Sequence, residues 1–346
     1  MNLENIILSR TDSIGDIVMA MPVAAALKKQ FPGIIVAILG RPYTRQIALA
    51  CEYVDEFITV DEFLQNEILI HGKMPSAIVH LTTEAPLAKR AMQLKIPIRI
   101  GTSRRLFHLW TCNRFVWLNR KNSGLHETQL NLKLLKPLGM KSNYTLQEIG
   151  ISYGLNRLEN LHEEFQKLLH KEKYNLIIHA KSRGSSREWP LDHFISLINL
   201  LDDDDYHILL SGVAEELPFI EQLLSKINKQ VTVIAGVLPL TQFLPFVQQA
   251  DAVLANSTGP VHIAAALGKD VLGIYPPLKS KEPRRWGPVG PKAQIFVLDK
   301  NCMDCKDTPD NCHCIRSIQP FTIKASLDKL MGSKNNPTIS RLKNNA

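Results

Sequence analysis

Short apolar runs recur along the chain, each followed by a polar turn and then by residues with helical spacing. Ile6–Ser9 reads as a buried strand, Arg10–Asp16 as a turn, and Ile17–Phe31 as a helix with Met19, Val23, Ala26 and Leu27 on one face. Pro32-Gly33 stops that helix before the next strand, Ile34–Leu39. Further strands are expected at Phe57–Val60, Ala77–Leu81 and Ile98–Gly101, with helices at Pro86–Leu94 and His126–Leu138. The periodicity fades near Ser142–Leu155, and Arg157–His170 is predicted as an amphipathic helix leading into a second half. There the strands are Asn175–His179, His207–Ser211, Val231–Ile234, Ala252–Ala255 and Asp270–Tyr275. The helices are Leu191–Leu201, Glu215–Lys226, Pro260–Leu267 and Lys324–Met331. Strands alternating with crossover helices build parallel sheets, so the fold class is α/β. The division is 1–160, 161–332 and a tail, 333–346, whose Asn, Lys and Ser content predicts disorder.

With 346 residues, 45% of them hydrophobic, each half can bury its own core. The net charge of +8 points to an anionic partner: nucleotide, nucleic acid or acidic membrane surface. Arg99, Arg104, Arg105, His108, Arg114, Arg120 and Lys121 crowd one stretch, interleaved with Phe107, Trp110, Phe115 and Trp117. Such a stretch suits sugars, phosphates or a membrane surface, and its plainer reading is a solvated loop over packed aromatics. Nucleic acid is disfavoured, because the cations gather at strand-end turns and no nucleic-acid reading module is present. No apolar run is long enough to cross a bilayer and the first ten residues lack a secretion signal, so a cytoplasmic location is expected.

Three strand-end turns carry candidate chemistry. The first, Arg10–Asp16, has neither a G-x-G-x-x-G nor a Walker pattern, but holds Asp12 and Asp16 around Gly15. A carboxylate there either rests on the helix dipole or serves as a base for an attacking hydroxyl. The second, Ala180–Arg187, combines Lys181, Arg183 and Arg187 with several hydroxyls and suits a phosphate. The third, Asn256–Gly259, precedes a helix beginning at Pro260, with Thr258 expected as its cap. It reads as an anion site for a nucleotide diphosphate or as an ordinary capped helix. A ligand is expected between the two sets of strand ends. Cys302, Cys305, Cys312 and Cys314 form a C-x2-C-x6-C-x-C cluster around His313. Its two readings are a structural zinc site and free or redox-sensitive thiols; a one-residue gap between ligands is unusual for zinc. Cys51 and Cys112 read as lone structural residues.

In order, three stretches resemble glycosyltransferase family nine, the bacterial lipopolysaccharide heptosyltransferases. They are Arg10–Asp16 with Pro22 and Phe31-Pro32; Arg187-Glu188-Trp189-Pro190; and Asn256–His262 with Ala264–Gly268 and Arg285–Pro288. The resemblance implies a GT-B fold: two Rossmann-like domains facing a central cleft, acceptor on the first and nucleotide sugar on the second. It implies Asp16 as catalytic base, with Thr11, Ser13, Gly15, Arg104 and Arg105 on the acceptor side. It places Ser182, Arg183, Arg187, Ser257, Thr258, Gly259 and His262 at the donor. The implied reaction is inverting transfer of heptose from ADP-heptose to the anionic lipopolysaccharide inner core. It requires no cofactor and takes place in peripheral contact with the cytoplasmic face of the inner membrane. Asp202–Asp205 reads as a surface turn, not as a metal-holding D-x-D pair. Two departures leave the donor open: Ser257 stands where the family often has Asp, and Pro276-Pro277-Leu278 replaces its Gly-Pro-Thr. The alternatives are another nucleotide sugar and surface glycan, or a non-catalytic glycolipid-binding member.

Overall fold

The computed structural model describes residues 3–298, Cys302 and residues 312–335; Cys305 and residues 336–346 of the tail lie outside them. Two compact units are present. The first comprises Met1–Glu159 together with Arg284–Pro291, and the second Asn160–Pro283 together with Lys292–Ala346.

The first unit runs β1 (Asn5–Ser9), α1 (Ile14–Val18), α2 (Met21–Gln30), β2 (Ile35–Gly40), α3 (Arg45–Leu49), β3 (Glu56–Thr59) and α4 (Val60–Gln65). It continues through β4 (Ala77–His80), α5 (Ala85–Gln93), β5 (Ile98–Thr102), α6 (His108–Thr111), β6 (Arg114–Val116), α7 (Glu127–Lys133) and α8 (Leu146–Gly150). Its six strands form one sheet in the order β3-β2-β1-β4-β5-β6, parallel throughout. The central strand β1 is buried along its whole length, as its unbroken apolar run requires of a strand covered on both faces.

The second unit contains α9 (Glu163–Gln166), β7 (Tyr174–His179), α10 (Leu191–Leu200), β8 (Tyr206–Ser211), α11 (Leu217–Leu224), β9 (Thr232–Val233) and α12 (Leu240–Gln249). Then come β10 (Ala252–Asn256), α13 (Gly259–Ala266), β11 (Asp270–Ile274), β12 (Ala293–Phe296), α15 (His313–Arg316) and α16 (Pro320–Asn335), while α14 (Pro283–Trp286), all but its first residue, belongs to the first unit. Its six strands are again parallel, ordered β12-β11-β10-β7-β8-β9. Ile323 and Leu327 of α16 enter the core of this unit together with Phe194, Leu197 and Ile198 of α10. Cys302, Cys312 and Cys314 are buried in the same core.

Several local expectations change. The helix predicted over Ile17–Phe31 is two helices separated at Met19-Ala20. Pro22 lies in the first turn of α2 and has no N–H to offer the preceding turn. Most of the helix predicted over Arg157–His170 is absent; only α9 is helical. The Arg157 N–H bonds the Ala50 carbonyl, and its guanidinium donates to the carbonyls of Val54 and Glu52 at 2.9 and 2.8 Å. These tertiary bonds hold the backbone out of a helix despite its amphipathic spacing. The tail assigned to 333–346 begins as helix, because α16 continues to Asn335. The basic, aromatic stretch contains an edge strand, β6.

Candidate active site

In the first unit, the turn after β1 is fixed by charge. Arg10 is buried and its N–H bonds the Leu39 carbonyl at 2.9 Å. One end of its guanidinium donates to Asp16 Oδ1 and the other reaches Glu127 Oε1 at 3.3 Å. Its Nε lies 3.2 Å from Asp12 as an ion pair without hydrogen-bond alignment. Glu127, at the start of α7, is also bonded by Arg120 and by Arg285, whose Nε donates to Oε2 at 3.0 Å. Arg285 belongs to the returning segment Arg284–Pro291, so part of the third sequence motif builds the first unit. The neighbouring Gly287 carbonyl accepts from His126 Nε2 at 2.9 Å, which holds the segment in place.

Asp16 completes the turn from inside α1. Its Oδ2 accepts from the Ser13 N–H at 3.1 Å and the Ser13 hydroxyl at 2.7 Å. Burial alone would raise its pKa, but the Arg10 guanidinium and the Ser13 bonds outweigh that and hold the carboxyl below its ordinary range. Glu127 follows the same pattern: burial pushes up, and Arg120, Arg10 and Arg285 pull down further. For Arg10, burial pulls the pKa down, and Asp16, Glu127 and Asp12 more than offset it. Asp16 is therefore an ionised carboxylate at neutral pH, oriented by partners on both oxygens. The two readings of an acidic first-turn residue are not exclusive here, since Asp16 both bonds the helix start and ends at a strand-end turn.

The acceptor-side expectations divide. Thr11, Ser13, Gly15 and Asp16 share one turn, but the Thr11 hydroxyl donates to Glu84 and the residue is buried. Arg104 and Arg105 belong to a separate loop after β5, two strands away from β1. The cationic stretch also splits. Arg99 donates to the Thr111 and Ile96 carbonyls at 2.7 and 2.5 Å, His108 is buried, and Arg120 serves Glu127. Only part of that stretch is a solvated face.

In the second unit, β7 and β10 are neighbours and their two turns interlock. The buried Asn256 side chain accepts from the Trp189 N–H at 2.9 Å and donates to the Ala180 carbonyl at 2.5 Å. Ser185 Oγ reaches the Ser257 carbonyl at 3.4 Å. The loop turns through Arg183 and Gly184, with φ of 49° and 77°, a left-handed pair that glycine relieves at one position. Ser182 donates through its N–H and hydroxyl to Glu188 Oε1 at 2.7 and 3.0 Å, and Lys181 bonds the other oxygen. Arg187 is largely buried close to Lys281, whose pKa is lowered first by burial and then by the Arg187 charge. Lys281 itself donates to the Gly184 carbonyl at 3.0 Å.

Thr258 occupies the N-cap position of α13 but does not cap it. Its hydroxyl donates backwards to the Asn256 carbonyl at 3.2 Å, so its side chain leaves the N–H groups of the first turn uncapped. The Ser257 side chain hydrogen-bonds the buried Tyr275. His262 is buried in α13. Ser182, Arg183, Arg187, Ser257, Thr258 and Gly259 thus gather at one edge of one sheet, while His262 sits one turn into the helix behind them.

The residue-by-residue reading missed Arg10, Glu127, Asn256 and Glu216 as contributors. Glu216, beside the carboxyl end of β8, is buried, and burial raises its pKa against the opposing pull of the Val213 N–H and Arg183. Its Oε2 accepts from the Val213 N–H at 3.1 Å, while its buried Oε1 has no partner. The available signal was a carboxylate just beyond a strand and Gly212, where nucleotide folds place a sugar-binding acid.

The family model for glycosyltransferase family 9 (heptosyltransferase) matches residues 81–316. The chain belongs to that family. A Haemophilus influenzae protein described only as a glycosyltransferase is 25% identical over 302 residues, 83% of this chain and 86% of that one. Lipooligosaccharide heptosyltransferase 2 of Campylobacter jejuni is 21% identical over 327 residues, 92% and 96% of the two chains. Among solved structures, E. coli ADP-heptose LPS heptosyltransferase II superposes with a TM-score of 0.75 at 18% identity, covering 96% of this chain and 99% of that one. The fold class is accordingly α/β of the GT-B type, and this family 9 member is a glycosyltransferase.

Proposed function

We propose that this family 9 glycosyltransferase transfers heptose from ADP-heptose to the inner core of lipopolysaccharide, with inversion. The observation that carries the reading is Asp16: an ionised carboxylate at a strand-end turn, held by Arg10 and Ser13. The acceptor hydroxyl gives its proton to Asp16 while its oxygen attacks the anomeric carbon. The carbon–oxygen bond to ADP breaks, and the leaving diphosphate takes the electron pair. The lowered pKa of Asp16 keeps it in the base form but makes it a weak base. Proton transfer therefore belongs late, once bond formation has acidified the hydroxyl.

On the donor side, Arg187, Arg183 and the uncapped start of α13 are suited to the growing negative charge of the diphosphate. The partnerless oxygen of Glu216 suits a ribose hydroxyl. This assignment gives no step to a metal ion. The names of the Campylobacter and E. coli proteins, a lipooligosaccharide and an ADP-heptose LPS heptosyltransferase, support donor and acceptor. Ser257, neutral and bonded to Tyr275, favours a second reading with the same mechanism and another nucleotide sugar.

A thermal-shift comparison separates the two, because a ligand of the folded state raises the melting temperature. ADP and ADP-heptose should each raise it, and Arg187→Ala should weaken both shifts. A response to UDP- or GDP-linked sugars alone would overturn the donor assignment.

A further inference from the structure

In the second sheet β7, β10 and β11 lie side by side and run parallel, so the loops that follow them emerge at one edge. The first two loops carry Ser182, Arg183, Arg187, Ser257 and Thr258. The third, after β11, begins at Tyr275, whose N–H bonds the Phe296 carbonyl at 2.9 Å. Pro276 and Pro277 have no N–H to donate. The chain then turns, with the Lys281 N–H on the Leu278 carbonyl at 2.7 Å. From that turn the Lys281 ammonium donates to the Gly184 carbonyl at 3.0 Å, on the loop that holds Arg183 and Arg187. Lys281 lies in none of the three family motifs; it stands between the turn of α13 and Arg285.

The surroundings of Lys281 are wrong for a lone cation. The side chain is half-buried, and its charge is near enough to Arg187 for the two to repel. Among the described residues its partner is a neutral carbonyl and no carboxylate lies in ion-pair range. The acid of the same loop, Glu188, is taken by Lys181 and Ser182. A cation drawn out of water beside another cation is costly until an anion joins them. An ammonium has three N–H donors and the Gly184 carbonyl takes one, which leaves two. The loop it reaches is itself fixed. The Ser185 N–H donates to the Ser182 carbonyl at 3.0 Å, and its hydroxyl lies 2.7 and 3.4 Å from the carbonyls of Ser182 and Ser257. Ser257 adjoins the uncapped start of α13.

We propose that Lys281 binds the donor diphosphate, with its two remaining N–H groups on non-bridging oxygens, and shares the stabilisation of the leaving group with Arg187. A lysine serves such a site as a point charge. The ammonium keeps its proton throughout. The electron pair of the breaking carbon–oxygen bond stays on the diphosphate, and Lys281 offsets the added charge. The inference rests on the glycosyl-transfer reading only for a donor that is a nucleoside diphosphate sugar, whatever its base and sugar. The competing role is a staple that holds the Gly184 turn and touches no ligand.

Calorimetric titration of the full chain separates the two. It compares ADP with adenosine or, if another nucleotide raises the melting temperature, that diphosphate with its own nucleoside. Lys281→Gln keeps an N–H for the Gly184 carbonyl and removes the charge. It should weaken the diphosphate about tenfold and leave the nucleoside unchanged, and Lys281→Arg should restore most of the loss. Unchanged diphosphate affinity would overturn the proposal, and so would equal weakening of diphosphate and nucleoside, which a staple predicts. A second measurement uses the unaltered chain and does not depend on how the variants fold. Acetic anhydride, with labelling read by mass spectrometry, should modify Lys281 more slowly in inorganic pyrophosphate than in sulfate at equal ionic strength. Exposed Lys89 of the first unit should be labelled alike in both. Equal labelling of Lys281 in the two salts would overturn the assignment. Pyrophosphate has neither base nor sugar, so failure of the ADP-heptose assignment leaves protection of Lys281 standing, and failure of protection leaves the nucleotide shifts standing.

Discussion

In the first unit, the turn after the central strand is fastened by ions: Arg10 joins Asp16 to Glu127, and Glu127 joins Arg10 to Arg120 and Arg285. In the second, the two turns are joined to each other by a neutral amide, Asn256, between the Ala180 carbonyl and the Trp189 N–H, and the Lys181–Glu188 ion pair stays within one loop. An ionic fastening sets a protonation state as well as a position. It holds Asp16 ionised, as the proposed base must be, and makes it sensitive to any change in the surrounding charge. A neutral fastening sets shape alone and leaves the local field to the loop cations. The two tasks of glycosyl transfer, accepting a proton and stabilising a leaving anion, call for that division.

The comparison breaks most visibly at Glu127. Glu127→Gln removes the shared anion of Arg10, Arg120 and Arg285 while keeping the side chain's size. It should cost about 3–5 kcal/mol, the usual result of leaving buried charge uncompensated. Urea unfolding measures it, and a loss under 1 kcal/mol would show that the arginines find other partners. Asn256→Ala should cost less, about 2–3 kcal/mol, because it strands a buried carbonyl and a buried N–H without stranding a charge. The same unfolding measurement ranks the two variants, and reversal of their order would contradict the comparison.

Acid titration gives a graded effect. Burial is the first cause that pushes the pKa of His80 down to about 3, and those of His126 and His179 to about 4. The unfolded chain takes up these protons near pH 6.5, whereas the folded chain refuses them. Stability should therefore fall as pH drops below about 6.5, by up to about 1.4 kcal/mol per pH unit for each histidine. The slope ends for each group at its folded pKa. Asp16 and Glu127 act in a lower window: their folded pKa values are depressed, so their contribution is present above the unfolded carboxylate range and is lost as pH falls through the folded values. Urea midpoints at pH 7 and pH 5 check the first window, and His80→Gln should flatten the slope between them. An unchanged slope would mean that His80 is protonated in the folded state.

The sheets were legible because parallel strands leave unbroken apolar runs, and β1, β7 and β10 are such runs. The turns after β1, β7 and β10 were legible as positions because strand-end turns leave local signatures. The ionic fastening was not, since Arg10 and Glu127 are 117 positions apart and nothing local to either announces the other. The return of Arg284–Pro291 to the first unit was hidden for the same reason: the motif Arg285-Trp286-Gly287 is local, but its partners Glu127 and His126 are not. The Arg157–His170 helix shows the converse error, in which a true amphipathic pattern lost to tertiary bonds from Arg157.

Asp16→Asn separates proton transfer from nucleotide binding when turnover of ADP-heptose on core-truncated lipopolysaccharide and ADP affinity are measured on the same protein. Turnover should fall about 10²–10⁴-fold with ADP affinity unchanged, as for loss of a general base. Retained turnover, or nucleotide affinity that falls in step with turnover, would contradict the role given to Asp16.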